Sequence, residues 1–171
     1  MSDRLVIIDG YNLIHRSSHL RPGADRTLKE SRDKLVNLLS WTMTGEHTRF
    51  IVVFDGAEMA SRDESAGRVE VRYSRPPDKA DDLIRRLVEE KMDRGEHLTV
   101  VTADLEVARH ARAMGADISI SDLFLASALG PVKDEIPGAE KPVMLSKAEL
   151  EQWAEVFSRR KPVRDDDDDE L

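Results

Sequence analysis

Aspartates recur at a particular kind of place along this chain. Asp9 follows the apolar run Leu5-Val6-Ile7-Ile8, Asp55 follows Ile51-Val52-Val53-Phe54, and Asp104 follows Val100-Val101-Thr102-Ala103. Asp81 and Asp82 stand together at the start of an amphipathic stretch. The carboxyl ends of parallel strands lie along one edge of a sheet, where helices begin, so residues distant in sequence can meet in one crevice there. Carboxylates gathered in this way repel one another, and a hard divalent cation bound through oxygen relieves the repulsion while keeping waters for chemistry. The expected chemistry is metal-dependent reaction at a phosphoryl group, with Asp9, Asp55, Asp81, Asp82 and Asp104 as candidate metal ligands.

Each position also has a plainer reading. Asp9-Gly10-Tyr11-Asn12 is the sharpest motif: a carboxylate at the sheet edge, a glycine that lets the backbone turn, and an amide able to hold water, a phosphate oxygen or Asp9 itself. Asp9 or Asn12 could instead cap the next turn. Asp55-Gly56 is also a common turn sequence, Asp81 and Asp82 would offset a helix dipole, and Asp104 could be an N-cap. Asp81 and Asp82 cannot both face one way, so one should point to the crevice and the other to solvent or to Arg85 or Arg86. The residue two after Asp9 is Tyr11, not a second aspartate, which disfavours a phosphoaspartate mechanism. His15 and His19 have helical spacing for zinc but lack a third ligand. No Walker A or dinucleotide glycine fingerprint occurs, so no nucleotide cofactor is expected. Arg72, Arg75, Lys79, Arg85 and Arg86 could neutralise phosphates of a single strand, with Tyr11 or Tyr73 as a stacking surface; a solvated strand and helix face explains them equally well.

The elements that must position these groups are readable from periodicity. Residues 4–8, 50–54, 69–73, 98–102 and 118–120 read as short strands, mostly β-branched and continuously apolar as buried parallel strands are. Val69, Val71 and Tyr73 alternate with charged residues, which places that strand toward a sheet edge. The stretch from Glu58 to Gly67 reads as a polar loop. Helices are predicted from Leu28 to about Met43, after Asp78 as N-cap, from Asp104 to Met114, and from Leu123 to Leu129 behind Ser121-Asp122. The last is predicted behind the capping box Ser146-x-x-Glu149. Gly95 and Gly115 sit where helices should stop, and 130–142 reads as a loop. This order predicts a three-layer α/β domain over residues 1–158, around a mostly parallel sheet of about five strands. Residues 159–171, basic and then acidic, are expected to be a disordered tail.

With 171 residues the chain can bury a full core, and with no cysteine it can use neither disulfides nor thiolate chemistry. No apolar stretch approaches the ~20 residues of a membrane helix, and the N-terminus lacks a signal-peptide pattern; a soluble cytoplasmic protein is expected. The net charge is −8, but six of the negative charges lie in Asp165–Glu170, so the body is close to neutral and does not exclude nucleic acid.

The segments Val6-Ile7-Ile8-Asp9-Gly10-Tyr11-Asn12-Leu13-Ile14, Val53-Phe54-Asp55-Gly56, Lys79-Ala80-Asp81-Asp82-Leu83-Ile84 and Val101-Thr102-Ala103-Asp104 together resemble the NYN domains of the PIN-like nuclease superfamily, in particular the bacterial YacP-like group. The resemblance spans about residues 4–158. It implies a PIN-like sheet and Mg²⁺- or Mn²⁺-dependent cleavage of RNA leaving a 5′-phosphate, with the ribosome as a candidate partner. It places Asp9, Asp81 and Asp104 on the family's acidic cluster, with Asn12, Asp55 and Asp82 in support. Asp9, Asn12, Asp81 and Asp104 are the expected catalytic residues, and Tyr11, Arg72, Arg75, Lys79 and Arg85 the expected RNA contacts. The competing readings are a non-catalytic RNA- or ribosome-binding module and a small-molecule phosphatase; the latter lacks a phosphoaspartate pair and a cap domain. The acidic tail is not part of the family pattern.

Overall fold

Apolar runs that leave no polar face must be covered on both sides, and the chain does this with helices above and below one sheet. A computed structural model describes residues 4–23, 26–42, 47–56, 64–129 and 146–158. In chain order the elements are β1 (Arg4–Asp9), α1 (Gly10–Arg16), α2 (Leu28–Thr42), β2 (Thr48–Phe54), β3 (Glu64–Ala66), β4 (Val69–Tyr73), α3 (Ala80–Asp93), β5 (His97–Thr102), α4 (Leu105–Ala113), β6 (Asp117–Ile120), α5 (Ser121–Leu129) and α6 (Lys147–Ser158). The sheet order is β3-β4-β2-β1-β5-β6. Five strands run parallel and β3 pairs antiparallel with β4. The expected fold class is therefore present.

Successive residues of a strand point to opposite faces, and the core divides accordingly. Leu5 and Ile7 of β1 join Ile84, Leu87 and Val88 of α3, Val107 and Ala111 of α4, and Trp153 and Val156 of α6. Val6 and Ile8 join Leu13 and Ile14 of α1, Leu35 and Leu39 of α2, and Phe124 and Leu125 of α5. The chain begins at the central strand, moves outward through β2 and β4, then crosses back through α3 to β5 and β6 on the other side. A crossover of constant hand lies on the opposite face when its direction along the sheet reverses. That is why α3 and α4 lie on one layer and α1 and α2 on the other. The reversal opens a crevice at the carboxyl ends of β1 and β5, the point where such sheets bind ligands.

Local differences from the sequence reading have local causes. Gly10–Arg16 is a helix where only a turn was expected; seven residues are too few for an apolar period to declare itself. Within the stretch read as a polar loop, Glu64–Ala66 forms β3, so β4 lies next to the edge and is not itself the edge. Gly67, at φ 59°, supplies the left-handed residue that the two-residue connection between β3 and β4 favours. Asp78 does not cap α3. Lys79 is the N-cap residue and its backbone N–H donates to Asp82 Oδ2 at 2.9 Å, while Asp78 pairs with Arg86. The Ser146/Glu149 box forms in both directions, at 3.2 and 3.3 Å, and Gly95 and Gly115 follow their helices with positive φ. The 130–142 loop and the 159–171 tail lie outside the described residues.

Candidate active site at the carboxyl edge of the sheet

Asp9 is the last residue of β1 and the N-cap residue of α1, yet it is only 7% exposed. Gly10 is what makes the sharp exit possible, since a Cβ there would overlap the fully buried Phe54 ring. On the next strand Thr102, fully buried, donates its hydroxyl to Asp9 Oδ2 at 3.3 Å. Burial pushes the Asp9 carboxyl up to about 6; the negative charges of Asp81 and then Asp104 add to the rise, and the Thr102 hydroxyl and the Asn12 backbone N–H oppose it.

Asp81 comes from the first turn of α3, on the other layer. Its carboxyl is also raised, first by burial and then by Asp104, with Arg85 acting against both. Asp104 caps α4 through one oxygen, Oδ1, which accepts from the backbone N–H groups of Glu106 at 2.9 Å and Val107 at 3.3 Å. Its own N–H donates to Thr102 Oγ1 at 3.0 Å. Asp104 is therefore both a cap and a member of the charged group, and the two readings of it do not conflict. Three carboxylates from three elements thus act on one another electrostatically at the switch point.

Asn12 is clamped beside them. Its Oδ1 accepts from the Ala103 N–H and from the Ser121 hydroxyl, each at 3.0 Å. This fixes the amide with its Nδ2 as the outward donor end. Ser121 is fully buried at the start of α5, and Arg16 of α1 holds Asp122 of α5 at 2.9 and 3.2 Å. Thr102 and Ser121 are site residues the sequence reading missed as such; the signal was their position, Thr102 as the last residue of β5 and Ser121 as the first residue after β6.

Asp55 and Asp82 stand apart from the three. Asp55 is exposed beyond β2 and accepts from Ser74 Oγ at 3.1 Å. Asp82 turns back to the α3 N-terminus as described, so of the adjacent pair Asp81 is the one coupled to the crevice. Of the expected RNA contacts, Arg72 is paired with Glu70 at 2.6 Å and Arg85 with Glu106 at 3.7 Å. Arg75 and Lys79 are exposed on the segment joining β4 to α3, and Tyr11 is half-buried against Phe54 with ring centroids 4.8 Å apart. His15 lies on α1 and His19 beyond its end, so the two do not share one helix.

The donor set is all oxygen and anionic, which suits a hard cation such as Mg²⁺ or Mn²⁺. Among the described residues no three such groups close into a ligand cage.

Residues 6–156 match the YacP-like NYN domain. The chain belongs to this family. The NYN domain is a nuclease-type fold, which gives the acidic edge of this YacP-like chain its chemical context. A relative, the uncharacterised protein YacP of Bacillus subtilis (strain 168), is 26% identical over 102 residues. The matched segment is 58% of this chain and 60% of that protein. The crystal structure of Rae1 (YacP) from Bacillus subtilis superposes with a TM-score of 0.59 at 25% identity over 73% of each chain. A mutant of the same protein gives 0.63 at 24% identity, over 75% of this chain and 76% of that one. Among the described residues no helix is long and apolar enough to cross a membrane.

Proposed function

We propose that this YacP-like NYN chain is a divalent-metal-dependent endoribonuclease that hydrolyses phosphodiester bonds of single-stranded RNA in the cytoplasm, with ribosome-associated mRNA as its working substrate. The observation that carries the reading is Asp9, held 7% exposed and pushed up to about 6 by burial and by two further carboxylates. At neutral pH such a group is mostly ionised at a cost to the fold, and a hard cation bound through oxygen would relieve that cost. Asp9, Asp81 and Asp104 would hold Mg²⁺ or Mn²⁺, which when bound lowers the pKa of a water and offsets charge on the scissile phosphate.

The chain's own residues do the positioning. Thr102 ties the Asp9 carboxylate to β5 and, through the Asp104 N–H, to the start of α4, so the two acids keep a fixed spacing. The clamped Asn12 amide offers its NH₂ to a water or to a non-bridging phosphate oxygen. Tyr11, Arg75 and Lys79 border the site as contacts for the strand.

The test is cleavage of labelled single-stranded RNA with Mn²⁺ or Mg²⁺, with and without chelator, scoring 5′-phosphate on the products. Cleavage abolished by chelator and by Asp9→Asn supports the reading; none under any metal condition overturns it. That no group of three acidic residues able to hold an ion is found among the described residues favours one alternative, a non-catalytic RNA- or ribosome-binding module. RNA retention without turnover in the same assay would establish that alternative.

A further inference from the structure

Arg32, on α2, is a half-buried cation that the fold holds without a paired carboxylate among the described residues. Its Nη1 donates to Tyr11 Oη at 2.9 Å, and its guanidinium carbon lies 5.9 Å from the centroid of the Tyr73 ring. The Tyr11 and Phe54 rings are 4.8 Å apart and the Phe54 and Tyr73 rings 5.8 Å apart. The three aromatics thus form a band across the carboxyl ends of β2 and β4, and Tyr11 is two residues beyond Asp9.

Four other arginines near this edge are paired: Arg16 with Asp122, Arg72 with Glu70, Arg85 with Glu106 and Arg86 with Asp78. Withdrawing a cation from water is costly, and an anion usually offsets the cost. Here a neutral phenol and an aromatic face stand where a paired anion would, with the charge of Asp33 adding a smaller effect, and the guanidinium keeps its charge. Of the five N–H donors of a guanidinium, the bond to Tyr11 commits one. The plane is oriented, among the described residues no other hydrogen bond takes its remaining donors, and a cation on this edge would offset the repulsion between the acidic residues and a polyanion.

We propose that Arg32, oriented by Tyr11 and Tyr73, binds a backbone phosphate of the RNA strand on the β2/β4 side of the acidic group. A planar fork held in one orientation suits bidentate recognition of phosphate. The inference rests on the part of the proposed function that makes single-stranded RNA the ligand of this site.

The experiment measures fluorescence anisotropy of a fluorescein-labelled oligoadenylate against salt, using the full-length chain carrying Asp9→Asn, in Mg²⁺. Adding Arg32→Gln should weaken binding about tenfold at low salt and reduce the slope of log affinity against log salt by about 1, because one fewer phosphate is neutralised. Arg32→Lys should keep the slope while giving up part of the affinity. Arg49→Gln, at the amino end of the sheet and paired with Glu96, should change neither. An unaltered slope in a folded Arg32→Gln protein overturns the proposal, as does absence of binding before Arg32 is changed. Should Arg32→Gln fail to fold, protection of Arg32 from phenylglyoxal by the same oligonucleotide in the unmutated protein decides the matter, and no protection overturns it. Intact binding effects without any RNA cleavage would remove the nuclease reading and leave this one standing; cleavage with no Arg32 effect would do the reverse.

Discussion

Asp9 is a residue whose charge the metal-free fold disfavours, and this has a consequence that can be measured. Its folded pKa of about 6 lies above the ordinary 3.8, so the folded state binds the proton more tightly than the unfolded chain. The destabilisation is fully present above about pH 6 and fades as pH falls toward 3.8. Two pKa units correspond to roughly 3 kcal/mol at most. Asp9→Asn removes the charge while keeping an oxygen that can accept from Thr102. In chelator it should be more stable than the parent by about 1–3 kcal/mol at pH 8, with the gap closing by about pH 4 in urea unfolding curves. The same variant should lose RNA cleavage. A stability gap independent of pH would show that Asp9 is not the strained group, and retained cleavage would remove it from the chemistry.

At the scale of elements, the α3 N-terminus separates two roles that look identical in sequence. Asp81 and Asp82 are neighbours of the same type, but the helix turns Asp82 onto the Lys79 N–H and leaves Asp81 to the crevice. Asp82→Ala should cost about 1 kcal/mol through the missing cap and lower cleavage through a loosened Asp81. Asp82→Asn, an equally good cap, should restore both; low activity in Asp82→Asn would instead make the carboxylate charge itself necessary. The sequence did not distinguish these cases, because Asp78 is by residue type a better N-cap than Lys79 and only the chain path into the helix decides. The same limit hid α1 and β3, whose seven and three residues are too short for a period. Long β-branched runs such as Val100-Val101 and the stripe Ile84, Leu87, Val88 were legible because burial on both faces of a sheet, or on one face of a helix, leaves a repeating trace.

At the scale of the whole molecule, strand order was not legible, since it depends on where the crossover reverses and no local pattern records that. The shared edge was legible, and along it Asp81 and Asp104 act electrostatically on Asp9; Asp55, one strand outward, is left with Ser74. A cation held only by the folded crevice should raise the melting temperature in proportion to the logarithm of its concentration above Kd. Millimolar Mn²⁺ should therefore shift the parent upward and leave Asp9→Asn nearly unmoved; a parent that does not shift would argue for the non-catalytic module. Charge is distributed just as unevenly: the net −8 includes six carboxylates in Asp165–Glu170, on a chain whose body is near neutral. Such a run would compete with RNA phosphates for the same cations, Arg75 and Lys79 among them, most strongly where screening is weak. Ending the chain at Val163 should leave the melting temperature unchanged and tighten single-stranded RNA binding severalfold at ~0.01 M salt, where the Debye length is about 30 Å, with the gain vanishing near 1 M, where it is about 3 Å. Affinity unchanged at low salt would mean that the acidic run does not compete for the RNA face. Affinity lowered by the truncation would mean that it contacts a basic partner instead.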